Sequence, residues 1–201
     1  MSAAPFEVPK ATLQPPLVTF SEVANFTPVN GLTINGFTFT ENMPTAFTAP
    51  SASGPGNTNN ITGDTALSGV PPGAGYILSV SLASPALSFG FGFALQTTGS
   101  VANAVTLTLF SGMTNLGSLV FAGANDPTFT GGYAGIGNDT FFDRVEIAFN
   151  AQFPGFAVDN FSARAAVPEA GGTWLMLLSS AASLALVALL RRRSPKTPAI
   201  G

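Results

Sequence analysis

Between Ala86 and Leu95 the chain reads ALSFGFGFAL. Leu87, Phe89, Phe91, Phe93 and Leu95 occupy every second position, with Ser88, Gly90, Gly92 and Ala94 between them. A period of two belongs to an extended strand, whose side chains alternate between faces. In a helix the same five large residues would scatter around the circumference instead of forming one stripe. The segment therefore predicts a strand whose large face enters a core. Its other face is so small that it predicts close approach of another backbone, or a shallow groove.

The rest of the body repeats this strand grammar. LVTFSEV (17–23) is rich in β-branched and aromatic residues, and NGLTINGFTFTEN (30–42) alternates through Leu32 and Ile34 and, after a break at Gly36, Phe37 and Phe39. Residues 43–63, with their Pro, Gly and Asn, predict a long polar loop. GYILSVSL (75–82) leads through Pro85 into the Phe-rich strand. AVTLTLFSG (104–112) and NLGSLVFAG (115–123) predict a hairpin with Val105, Leu107 and Leu109 inward. YAGIG (133–137) and FFDRVEIAFN (141–150) predict a further pair, and GFAVDNFSAR (155–164) the last strand. About nine or ten short strands with frequent glycine turns predict an all-β fold, a jelly-roll-like β-sandwich over residues 17–165. Residues 1–16, MSAAPFEVPKATLQPP, are Pro-rich and predict a disordered N-terminal segment.

Composition narrows the chemistry. The 201 residues contain no Cys and no His. Thiol catalysis, disulfides and a Ser-His-Asp triad are thereby excluded, as is the commonest Zn²⁺ ligand. Before Val167 the basic residues are Lys10, Arg144 and Arg164, against nine carboxylates. An acidic body without a Lys/Arg cluster argues against a nucleic-acid partner.

The carboxylates are the remaining reactive groups. Asp139, Asp143 and Glu146 are close in sequence. A glycosidase needs two carboxyl groups facing each other across a cleft, about 5 Å apart or somewhat more. Asp143 and Glu146, three apart on a strand, should face opposite sides. The only Trp lies in the tail, so a Trp-based sugar-stacking site is absent from the body. The chain is read as a non-enzyme. Asp159 stands in an apolar strand, GFAVDNF, where an unpaired carboxylate is costly. Two readings stay open: Asp159 bonds backbone amides, Arg144 or Arg164, or it joins Glu22 in ligating a structural Ca²⁺. No other cofactor is expected. The Asn-x-Ser/Thr matches at Asn25, Asn60, Asn138 and Asn160 arise readily by chance in an Asn-rich β-protein.

The C-terminal tail has a different logic. Residues 172–190 are uncharged and followed by Arg191, Arg192 and Arg193. A helix of about 18–20 residues reaches roughly 27–30 Å, the depth of a bilayer's hydrocarbon core. Apolar residues lie on every side of it rather than along one stripe, and the arginines stop transfer and mark the cytoplasmic end. Residues 194–201 would form a short cytoplasmic tail. Immediately before the span stand Val167, Pro168, Glu169, Ala170, Gly171, Gly172 and Thr173.

This order of a Pro-Glu motif, an apolar span and an Arg cluster resembles the PEP-CTERM sorting signals of Gram-negative envelope proteins. Pro168 and Glu169 match the motif, and Ala170 stands where its common form has a second proline. The resemblance implies an exosortase as partner, one that recognises and cuts the tail. A second stretch is similar to the ectodomain common in such proteins: Gly-Gly-Tyr-Ala-Gly-Ile at 131–136, Phe142 to Val145, and Ala157 to Phe161.

The sequence thus predicts an exported envelope or extracellular-matrix protein. It would be tethered to the membrane, then sorted to the surface, with a structural or adhesive β-domain. A non-catalytic carbohydrate-binding module, with extracellular polysaccharide as partner, is the alternative, and a secreted glycoside hydrolase ranks below both. An exported domain needs a signal peptide, and residues 1–16 lack its apolar core. The leader is expected upstream of Met1, or the sequence is a piece of a longer chain; the alternative is insertion by the tail alone.

Overall fold

The structure, a computed structural model, describes residues 4–50, 54–68, 75–150 and 152–164. The chain divides into two units, 1–165 and 166–201. The sorting motif 167–173, the apolar span 172–190 and Arg191 to Arg193 lie outside the described residues. Among the described residues no helix is long and apolar enough to cross a membrane.

The first unit is built from β1 (Phe6–Glu7), β2 (Thr33–Ile34), β3 (Phe37–Glu41), β4 (Ala46–Pro50), β5 (Asp64–Ser68), β6 (Leu78–Leu95), β7 (Val101–Ser111), β8 (Thr114–Asn125), β9 (Thr130–Phe149) and β10 (Phe156–Arg164), all joined by antiparallel pairing. The two longest replace what the sequence reads as four short strands. Pro85 does not end β6; it sits in an irregularity of the β6–β9 ladder, where register shifts between Ser81 and Ala86 and again between Ala86 and Ser88. Bulges of this kind let a strand bend without ending.

That bend makes the sandwich. The N-terminal half of β6 pairs with β3 and with the C-terminal half of β9, which β7 and β8 extend. The C-terminal half of β6 pairs with β10, then β5 and β4. Drawn out straight, a strand the length of β6 would span nearly 60 Å. Yet Phe149, at the end of β9 in the first half, stacks on Phe156, which pairs with Leu95 in the second, at 3.9 Å and 7°. The two halves therefore lie face to face.

Aromatic rings fill the space between them. Phe89, Phe91 and Phe93 have no solvent exposure, as the alternation requires. Phe91 stacks on Phe161 at 4.9 Å, and Phe39 meets the same ring edge-on at 5.2 Å. Leu87 departs from the pattern: it falls at the bulge and is half-buried. Val105, Leu107 and Leu109 enter the core as expected.

Three expectations are corrected. Residues 17–23 form no strand; Val18 makes a single bridge to Phe161, and the Glu22 carboxylate accepts the Thr19 amide, curling the segment into a turn. Residues 43–63 are not one loop, since they contain β4 and a 3-10 turn at Gly54–Gly56. Residues 4–16 are ordered. Phe6–Glu7 pair with β9, a 3-10 turn spans Lys10–Leu13, and Leu13 is fully buried. Proline removes donors but leaves Val8 free to donate its amide to Gly135, and Leu13 supplies the apolar anchor.

Candidate functional site

The small face of β6, at Gly92, and the neighbouring β9, at Gly135, receive other backbones. A side chain at Gly92 would strike the carbonyl of Asn60, 2.0 Å from its first carbon, and one at Gly135 the carbonyl of Val8 at the same distance. Only glycine permits these approaches. The N-terminal strap, residues 4–16, and the segment around Asn60 therefore lie directly on the sheet. Asn60 ties them together. Its Oδ1 accepts from Lys10 Nζ at 2.9 Å, its Nδ2 donates to Asp126 at 2.6 Å, and its carbonyl accepts from Asn160 Nδ2 at 2.8 Å.

Beside the strap lies a groove of about 470 Å³, lined by Glu7, Val8, Pro9, Lys10, Phe121, Tyr133 and Gly135. It opens where β8 leaves β9: the two pair at Ala124–Asn125, then separate, and β1 pairs with β9 further along at Gly137 and Ile136. Tyr133 forms part of its lining, with the Lys10 ammonium 6.0 Å from its ring centre. Burial raises the pKa of the Tyr133 hydroxyl, while the positive charge of Arg164 draws it back. One cation, one carboxylate and two aromatic rings thus meet in a volume typical of small-molecule sites.

A second pocket, about 150 Å³, lies between Asn35–Phe37 and Leu82–Ala86 and has no charged lining residue.

The sequence marks none of the groove residues as a site; Tyr133 and Gly135 enter it only within the resemblance at 131–136. Lys10 is one of three basic residues before the tail and Tyr133 one of two tyrosines, so their rarity is the only signal. Their meeting depends on the strap crossing Gly135, a long-range event without a local pattern.

Asp159 is fully buried, and of the readings left open its backbone partners are present. Oδ2 accepts the Thr62 amide at 2.7 Å and Oδ1 the Asn160 amide at 2.6 Å. Burial pushes its pKa up to about 8 against the pull of these two bonds, and the negative charges of Glu22 and Asp64 add to the rise. Glu22 is thus within electrostatic reach of Asp159, but its own carboxylate binds the Thr19 amide and hydroxyl. Among the described residues no group of three or more Asp or Glu is placed to hold a metal ion.

The three carboxylates grouped in the sequence, Asp139, Asp143 and Glu146, have different surroundings. Both oxygens of Asp143 accept the Gly112 amide at 3.1 Å, Glu146 is ion-paired with Arg144, and Asp139 is exposed. Arg144 also lies 3.9 Å over the Phe110 ring.

No family model and no curated protein matches this chain. Solved structures do. A family 29 carbohydrate-binding module is 13% identical over 69% of this chain and 84% of its own, with a TM-score of 0.40. A variant of such a module complexed with cellulohexaose is 11% identical over 70% of this chain and 88% of its own, with a TM-score of 0.41. Another, complexed with mannohexaose, is 11% identical over 70% and 89%, with a TM-score of 0.40. Likeness at this level carries neither a ligand nor a binding residue over to this chain.

Proposed function

We propose that this chain is a non-catalytic binding module displayed at the cell envelope, its jelly-roll-like domain taking a short saccharide in the strap groove. The observation that carries the reading is the groove's lining: the Tyr133 ring beside Lys10 and Glu7 in about 470 Å³. A sugar ring offers a C–H face to an aromatic surface and hydroxyls to an ammonium and a carboxylate. Opposite charges on Lys10 and Glu7 favour a neutral ligand over an anion or a cation.

The envelope half of the reading rests on the tail. Val167 to Thr173, the uncharged span and Arg191 to Arg193 form a membrane anchor with an exosortase recognition motif at its outer end. Pro168 holds Val167 extended, and Gly171 and Gly172 discourage outward continuation of the helix, leaving a peptide that a protease cleft can bind.

Two experiments test the two halves. Full-length protein in detergent is presented to a panel of neutral and acidic oligosaccharides. Binding is expected, weakened at least tenfold by Tyr133→Ala; an unchanged affinity in that variant would remove the groove as the site. In a host with an active cognate exosortase, mass spectrometry of released protein is expected to show a C-terminus near residues 167–173. Released protein still ending beyond Arg193 would sink the sorting half.

A further inference from the structure

Four described residues other than glycine have a positive φ: Phe20 at 57°, Phe26 at 66°, Asn35 at 48° and Asn160 at 57°. A side chain is strained there, and a bulky one is a true outlier. In three cases the surroundings compensate. Phe20 is fully buried, its ring 5.2 Å from Phe39 and 5.8 Å from Phe161. Asn35 begins the Asn-Gly turn between β2 and β3, and its Nδ2 donates to the Leu17 carbonyl. Asn160 forms side-chain bonds with Asn60 and Thr62.

Phe26 is different, for it is 69% exposed. It is the third residue of a turn, Ala24 to Thr27, closed by the Thr27 amide on the Ala24 carbonyl at 3.3 Å. A positive φ at that position calls for glycine. The turn is nevertheless held tightly. Thr48, fully buried, donates its hydroxyl to the Ala24 carbonyl at 2.8 Å and accepts the Thr27 amide at 3.0 Å. The Phe26 amide donates to the Thr48 carbonyl at 2.6 Å. This network holds a strained backbone in place and leaves its aromatic ring in solvent. Strain kept by surrounding bonds, with no gain in burial, points to a role for the side chain itself.

What the ring does is set by its neighbour. Phe26 lies 6.0 Å from Phe47 at a tilt of 32°. Phe47 is half-buried against Ala49, Ile61, Ala94 and Ala157, and so gives the pair a packed base. Residues 23–30 and 43–50 contain no charged side chain, and exposed Asn25 and half-buried Thr27 flank Phe26. Two partly exposed rings offer at most about 300 Å². A stable protein interface needs about 800 Å² from each partner. The occupant is therefore small, neutral and flat on one side.

We infer that Phe26 and Phe47 form an aromatic platform for the C–H face of a pyranose ring, a contact separate from the strap groove. This rests on the saccharide reading proposed above and adds a second place where the sugar chain is held.

The test uses full-length protein in detergent and a panel of neutral hexasaccharides, with Phe26→Gly, Phe26→Trp and Tyr133→Ala compared with wild type. Phe26→Gly relieves the strain, so its thermal midpoint is expected to equal or exceed wild type while its affinity falls at least tenfold. Phe26→Trp is expected to keep or raise affinity and to show a blue-shifted emission on saturation. Wild-type affinity in Phe26→Gly, with Tyr133→Ala impaired, would overturn the platform and leave the groove standing. A lower midpoint in Phe26→Gly would show that the ring serves packing, and overturn it equally. If wild type bound no member of the panel, the saccharide reading itself would fall and the platform with it. A dimer lost on Phe26→Gly in analytical ultracentrifugation would assign the patch to self-association and also overturn the proposal.

Discussion

The carboxylate of Asp159 accepts the amide of Thr62 at 2.7 Å, across 97 residues of chain, from a side chain with no solvent exposure. That bond anchors the segment after Asn60 to the centre of the sheet, where Asp159 pairs with Gly92. Its energetics depend on pH. Burial is the largest influence on Asp159 and raises its pKa to about 8, whereas in the unfolded chain it titrates near the ordinary value of 3.8. Between these values the folded protein holds a proton that the unfolded chain has released. Stability should therefore be greatest at about pH 4 and below as far as this group is concerned, and decline as pH rises to about 8. A shift of this size corresponds to up to about 6 kcal/mol. Denaturant unfolding at pH 5, 7 and 9 measures it, and a flat profile would mean that Asp159 is ionised in the fold. In Asp159→Asn the decline should vanish. The amide leaves one backbone N–H unpaired, so this variant should be less stable than wild type at pH 4 and more stable at pH 9.

The strap should be separable from the fold beneath it. At Gly135 an added methyl group would sit 2.0 Å from the Val8 carbonyl, and backbone cannot give way as a side-chain tip can. Gly135→Ala should displace Val8 and cost about 1–3 kcal/mol. The readout is tryptic cleavage after Lys10, whose ammonium is otherwise tied to Asn60. Cleavage is expected to accelerate at least tenfold; a wild-type rate would show that the strap stays docked.

Much of the sandwich is legible in single residues. The two-residue period of Phe89, Phe91 and Phe93 specifies both strand and buried face, because burial on one side is all that it encodes. The β7–β8 hairpin follows from Gly112 in the same local way. What the sequence conceals is the continuity of β6 and β9. Pro85 reads as a stop, yet a bulge takes it up without ending the strand. Asn35-Gly36 is a strong hairpin signal, and it marks the turn between β2 and β3 more sharply than the hydrophobic alternation does. The groove was out of reach, because Lys10 and Tyr133 meet only after the strap has crossed the sheet. Of Asp159 the sequence shows that a carboxylate in GFAVDNF needs a partner, but not that Thr62 and Asn160 provide it.

The two tyrosines should resist ionisation together. Tyr76 is buried, and its hydroxyl donates to Glu41 Oε2 at 2.9 Å; burial first, then the Glu41 charge and that bond, raise its pKa above the usual range. Tyr133 is raised by burial as well. The chain contains no other tyrosine. An alkaline titration followed at 295 nm should therefore show no phenolate near pH 10, and a step only when the fold is lost. A midpoint near 10 in folded protein would place one hydroxyl in solvent. Tyr76→Phe removes a bond to a carboxylate that also accepts the Thr45 and Ala46 amides, and should cost about 1.5–3 kcal/mol.

The core makes the last prediction, and its size follows from where each residue of one strand points. Phe91 has no exposure, stacks on Phe161 at 4.9 Å and 10°, and lies 6.0 Å from Phe89. Phe161 also receives Phe20, Phe39 and Phe89, so the ring facing Phe91 is held on several sides and cannot collapse into a vacated space. Phe91→Ala should lose the transfer energy of the ring and leave a cavity, costing about 3–5 kcal/mol. Leu87, on the same strand but at the bulge and half-buried, leaves a site that solvent already reaches. Leu87→Ala should cost clearly less, on the order of 1 kcal/mol, since only part of its area is removed from water. Urea unfolding of both variants at one pH decides the point. Equal losses, or a loss below about 1 kcal/mol for Phe91→Ala, would mean that the two halves of the sheet do not close on this ring.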